Sequence, residues 1–186
     1  RLMTERGEVR VKVFYTWAQN ENDKQFDPGF GKNIEWDIPL LDGYAYTFVR
    51  NRSKSPGSHH FAGIDNPTLI YELEKWSPDA VLVFGWAFKS HLRVLRYYKG
   101  KRLLLFRGDS NSLVESKKFT LNKVFLCLFL KWGYSHLDKA LYVCKANKQY
   151  FLQFGVKDSQ LVFAPHVVNN NHFYENSKEN LRERLG

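Results

Sequence analysis

Two cysteines among 186 residues cannot staple a small fold, and Cys127 and Cys144 lack the paired spacing of a metal knuckle. A reducing, cytoplasmic setting is therefore expected. Long apolar runs are also missing: the longest, 124–130 (VFLCLFL), falls far short of the roughly 20 residues needed to cross a bilayer, and the opening residues are not expected to act as a signal peptide. Several catalytic signatures are absent. There is no G-x-x-x-x-G-K-[ST] loop, no G-x-S-x-G elbow, no H-E-x-x-H pair and no cysteine nucleophile in a suitable context. Acidic residues are scarce, with 19 Asp and Glu against 28 Lys and Arg and a formal charge of +9. An anionic partner is expected, whether nucleic acid, phospholipid head groups or a phosphorylated small molecule.

What remains is a chain able to bury a core. Hydrophobic residues make up 44% and charged residues 25%, which excludes disordered and collagen-like chains, and the length suits one domain at roughly 150 residues per domain. Aromatic residues reach 16%, which serves interior packing first and stacking on sugars or bases second.

Residues 9–17 (VRVKVFYTW) read as a first strand, residues 20–33 as a long loop carrying Pro28, Gly29 and Gly31, and residues 46–49 as a short second strand. Residues 50–60 (RNRSKSPGSHH) form a basic connection expected to be mobile. Alternation then becomes regular. Helices are expected over 67–76, 89–98, 121–135 and 145–154, and buried strands over 80–84, 103–106, 139–143 and 161–164. Such alternation, with short connections, predicts an α/β fold: a doubly wound, mostly parallel, Rossmann-like sheet with helices on both faces. Ligands in these folds sit beyond the carboxyl ends of the strands, so the residues just after each strand become the candidates.

Arg107, Gly108, Asp109 and Ser110 follow the LLLF strand directly. A cation, a carboxylate and a hydroxyl converge there, able to orient a hydroxylated or phosphorylated acceptor and to handle its proton, although Asp109 or Ser110 could equally cap a helix. Gly85 and Trp86 also follow a strand; the glycine permits close backbone approach and the indole can stack on a sugar, or fold onto the core. Gly29 and Gly31 present a glycine-bearing loop to a phosphate but lack the G-x-G-x-x-G order after a strand. His166 ends the last strand, where it reaches an anionic ligand or serves a turn. His59 and His60 have no ligand partners at metal spacing, so no zinc site is expected. Residues 121–134 are apolar nearly all round: a buried helix is the leading account, with shallow attachment to an anionic membrane as the second.

The segments VKVFYTW, FGKNIEWDIPLLDGYAYTFV, PDAVLVFGW, LLLFRGDS and ALYVCKANKQYFLQFGVKDSQLVFAPHVVNNNHF together resemble the amino-terminal half of a family 4 glycosyltransferase, a retaining enzyme of two-domain GT-B architecture. The likeness spans nearly the whole chain. It implies an acceptor-binding domain over 1–175 and a linker over 176–186 toward a second domain that holds a nucleotide diphosphate sugar. The implied reaction moves that sugar to an acceptor hydroxyl with retention, without an essential metal or other cofactor, in polysaccharide or glycolipid synthesis. The resemblance places Asp109 as the catalytic candidate, with Arg107, Trp86, Gly85 and Ser110 at the acceptor edge. Gly29, Gly31 and His166 face the donor cleft. A lipid-linked, phosphate-bearing acceptor would set the chain at the inner leaflet of a membrane, consistent with its basic charge. Glu175 and Glu183 match the family's spacing of two glutamates but stand in a polar stretch, a coincidence rather than the donor-site pair. The fragment alone is expected to be inactive. The alternatives are a basic α/β module for nucleic acid and a small receiver-like binding domain; scattered Lys and Arg argue against the first, and Trp17-Ala18-Gln19-Asn20 lacks the acidic cluster or phosphate loop of the second.

Overall fold

Runs of apolar residues too short for helices, set between glycines and polar turns, form the parallel strands of this chain. The computed structural model describes residues 2–17, 26–27, 32–33, 41–111 and 121–167. A short helix, α1 (Leu2–Glu5), precedes β1 (Lys12–Tyr15), which pairs in parallel with β4 (Ala45–Phe48). Between them, β2 (Phe26–Asp27) and β3 (Lys32–Asn33) pair antiparallel, a bridge within what the sequence reads as continuous loop. Four further strands follow: β5 (Ala80–Phe84), β6 (Leu103–Arg107), β7 (Lys139–Tyr142) and β8 (Leu161–Phe163) form one parallel sheet in chain order. Helices α2 (Leu69–Trp76), α3 (Lys89–Tyr98), α4 (Leu121–Tyr134) and α5 (Lys145–Gln153) make the connections from β4 onward. The fold is α/β, parallel and Rossmann-like, as the alternation predicts.

Right-handed crossovers between strands taken in order place successive helices on one face of the sheet. Burial and ring contacts agree with one covered face. Val83, Phe106 and Ala140 stand side by side on the covered face, and Phe106 meets Tyr134 of α4 at 5.6 Å and Phe151 of α5 at 6.0 Å between ring centres. Val94, Leu95 and Tyr98 of α3 complete the same core, with Leu69 and Leu73 of α2 beside them. On the opposite face Leu82, Phe84, Leu103 and Val162 stay exposed, so among the described residues helices cover one face of the four-stranded sheet where the sequence reading expects them on both. Burying Phe106 alone is worth on the order of 2–3 kcal/mol by area.

One further expectation is corrected. The helix over 121–134 is not buried all round: Leu130 and Tyr134 enter the core, whereas Phe125 is 71% exposed, Leu128 59% and Trp132 42%. The cause is geometric, because a helix in a single layer on a sheet offers the core only one arc. Residues 50–60 are braced by Asn51, whose Oδ1 accepts from the Ser53 and Asp65 amides and whose Nδ2 donates to the Gly63 carbonyl at 2.8 Å. Among the described residues no helix is long and apolar enough to cross a membrane.

Candidate functional site

The carboxyl ends of the parallel strands are tied together by three polar side chains that sequence reasoning does not single out. Asn66, fully buried before α2, donates from Nδ2 to the Thr16 carbonyl at 3.0 Å and to the Val49 carbonyl at 2.6 Å, joining the ends of β1 and β4. Its own amide donates to Ser90 Oγ at 2.6 Å, which draws in the start of α3. Nearby, His91 sits between β1 and β5. Its Nδ1 lies 3.2 Å from the Gly85 carbonyl and its Nε2 3.0 Å from Thr16 Oγ1. A carbonyl only accepts, so Nδ1 carries the proton and Nε2 accepts from the Thr16 hydroxyl. Burial holds the His91 pKa below its ordinary value, and the imidazole is neutral. The third is Asn147, fully buried in the first turn of α5. Its Oδ1 accepts from the Val143 amide at 3.0 Å, and its Nδ2 donates to the Ser110 carbonyl at 2.7 Å. Asn147 thereby fastens the loop after β6 to the helix after β7.

On this frame the candidates take definite places. Gly85 has φ +71°, a left-handed conformation that side-chain-bearing residues rarely adopt, and its amide donates to the Arg107 carbonyl at 2.9 Å. A Cβ there would meet open space, so conformation rather than crowding calls for glycine. Gly108 differs: a Cβ would come within 3.0 Å of the Phe106 ring. Trp86 is half-buried, its ring 5.4 Å from that of Phe129 in α4, and it packs onto the core more than it projects from it.

Arg107 and His166 are brought together although 59 residues separate them. An Arg107 terminal nitrogen lies 3.3 Å from the Pro165 carbonyl and 3.4 Å from His166 Nδ1, with the Phe84 ring 6.0 Å from the guanidinium carbon. The guanidinium spans from β6 past the end of β7 to the residues following β8. Because a guanidinium only donates, Nδ1 of His166 is the acceptor in this contact. Asp109 and Ser110 follow on the same loop with exposed side chains, held through the Ser110 carbonyl by Asn147. Gly29 and Gly31 lie outside the described residues, in the connection between β2 and β3. The rim thus gathers a guanidinium, an imidazole, a carboxylate and a hydroxyl, a set able to hold an anion and orient a hydroxyl group.

Other polar clusters lie apart from this rim chemistry. Asp65 pairs with Lys89 at 2.5 Å and Arg93 at 3.0 Å, and the lysine hydrogen bond, followed by the arginine, holds its carboxyl below the usual range. At the opposite, amino-terminal end of the sheet a shallow depression is bounded by Asp79, Lys101, Arg102 and Asp138, but Asp138 is engaged in accepting the Leu104 amide at 2.7 Å. Ligands of parallel sheets gather at the other end. Among the described residues no group of three or more His, Cys, Asp or Glu side chains is placed to hold a metal ion.

Neither the signals at Asn66 and Asn147 nor that at His91 could be read from local sequence, since their partners lie 50, 37 and 75 residues away. No protein-family model, no curated protein and no solved structure matches the chain.

Proposed function

We propose that this chain forms the acceptor-binding half of a retaining glycosyltransferase that takes its sugar from a nucleotide diphosphate sugar. The observation that carries the reading is the meeting of Arg107 and His166 at the carboxyl rim, beside Asp109 and Ser110 on a loop fixed by Asn147. A rigid parallel sheet supplies the frame, and the rim supplies charge where such folds receive ligands. In this reading Arg107 and His166 hold the anionic part of a phosphate-bearing acceptor, and Ser110 positions its hydroxyl. Asp109 accepts the hydroxyl proton as the acceptor oxygen bonds to the anomeric carbon. The bond from that carbon to the diphosphate breaks, and the nucleoside diphosphate leaves from the same face. Donor recognition falls to residues beyond this chain, and the acceptor is a lipid-linked sugar at an anionic membrane surface.

The reading is tested on the polypeptide that joins this chain to a donor-binding half, with turnover followed on nucleotide diphosphate sugars. Asp109→Ala is expected to lower kcat by roughly 10²–10⁴-fold, the usual worth of a positioned acid or base, with its urea midpoint unchanged. Unchanged turnover by a native-like variant removes Asp109 from the chemistry, and unchanged turnover by Arg107→Ala as well removes the rim.

A further inference from the structure

The outer arc of α4 carries an apolar ridge that the described residues leave uncovered. Phe125, Leu128 and Trp132 recur at spacings of three and four, so they stack along one side of the helix, and they are 71%, 59% and 42% exposed. Val124, also exposed, broadens the ridge. Its borders are basic. Neither α3 nor α4 contains an Asp or Glu, Lys131 is exposed on α4, and the Arg96 guanidinium of α3 lies 5.8 Å from the centre of the Trp132 ring.

We propose that this ridge is a docking surface for an anionic phospholipid bilayer, entered to shallow depth with α4 lying in the plane of the membrane. Three features select that occupant. At 14 residues α4 extends only about 21 Å, too short to span but suited to lying flat. The aromatic pair Phe125 and Trp132, with Arg96 against the indole, matches the boundary between acyl chains and head groups, where an amphipathic ring has one face dry and a cation meets phosphate. A second copy of the chain is disfavoured by area and by charge. Four partly exposed side chains offer a few hundred Å², against about 800 Å² per partner in a stable interface. Pairing two such ridges would also bring like charges together. The proposal rests on the reading above only in making the acceptor membrane-borne.

The test is flotation of the 186-residue chain with vesicles of phosphatidylglycerol mixed into phosphatidylcholine, and with phosphatidylcholine alone. Binding is expected to the anionic vesicles and to weaken in about 0.5 M salt, where charge attraction is screened within a few ångströms. Phe125→Ser with Leu128→Ser, and separately Arg96→Glu with Lys131→Glu, should each reduce the bound fraction by about tenfold or more, because both apolar insertion and charge are required. Far-UV circular dichroism and urea midpoints check each fold; should the serine pair fail to fold, the charge-reversed pair decides alone. Absence of wild-type binding overturns the proposal, as do variants that bind like wild type. A dimer in sedimentation equilibrium that the serine pair dissolves also overturns it, assigning the ridge to a second copy. Sugar transfer to a water-soluble acceptor without vesicle binding sinks the docking surface alone; vesicle binding with no transfer by the joined polypeptide sinks the enzymatic reading alone.

Discussion

Replacing Asn147 by alanine perturbs the rim at the point where its loops are tied. The substitution removes an acceptor 3.0 Å from the Val143 amide and a donor 2.7 Å from the Ser110 carbonyl, in a side chain with no exposed surface. Each backbone group left without its partner costs about 1–1.5 kcal/mol, and the missing amide leaves a small void besides. Better helix propensity returns about 0.5 kcal/mol. The net expected loss is about 2–3 kcal/mol, which at a urea slope of roughly 2 kcal/mol/M lowers the unfolding midpoint by about 1 M. The neighbouring Lys148→Ala serves as control. Its ammonium meets Asp158 at 2.6 Å in a solvent-exposed pair, whose removal should leave the midpoint nearly unchanged. Urea titrations at pH 7, followed by circular dichroism, decide between the two. If Asn147→Ala shifts the midpoint no further than Lys148→Ala does, the loop after β6 is not held as described and the account of the rim fails.

His91 links stability to pH. Its folded pKa lies below the ordinary 6.5, because burial disfavours the imidazolium. The unfolded chain therefore binds the proton first as pH falls. The contribution is complete above 6.5 and is lost progressively as pH drops from 6.5 toward the folded value, so His91→Gln should flatten the decline in urea midpoint between pH 7.5 and 5.5; equal slopes in both proteins would refute it. Gly85→Ala should cost about 1–2 kcal/mol through its left-handed backbone at φ +71°, although nothing crowds the added methyl group; an unchanged midpoint would show that the turn relaxes freely. Arg107→Ala and His166→Ala, both on the rim, should leave the unfolding free energy within about 0.5 kcal/mol of wild type while removing affinity for a phosphate-bearing acceptor, as read by calorimetry.

Most of the layered architecture was legible because burial and periodicity speak locally. The apolar strand Ala80–Phe84 matches its expected bounds, and Leu103–Arg107 extends its own by a single residue. Gly100 and Gly155, both at positive φ, mark the turns that follow α3 and α5. The arc that α4 turns to the core was not legible, because a helix apolar on every side carries no amphipathic signal until its neighbours are placed. Short antiparallel pairing at 26–27 with 32–33 escaped for a similar reason: two-residue strands have no periodicity to detect. At the rim, position after a strand correctly brought Arg107 and His166 to the same edge, whereas their contact required the parallel order of β6, β7 and β8. Asn66, His91 and Asn147 are ordinary polar residues in sequence. Only the fold turns them into the ties between strand ends.

The most direct measurement is amide chemical-shift mapping of the chain with a water-soluble, short-chain isoprenyl-diphosphate sugar as acceptor. Residues 85–86, 107–111 and 166 are predicted to shift together and saturably, with the response lost in Arg107→Ala. Shifts confined to the amino-terminal end of the sheet around Asp79 and Asp138, or none at all at concentrations where the joined polypeptide turns over, would contradict the account.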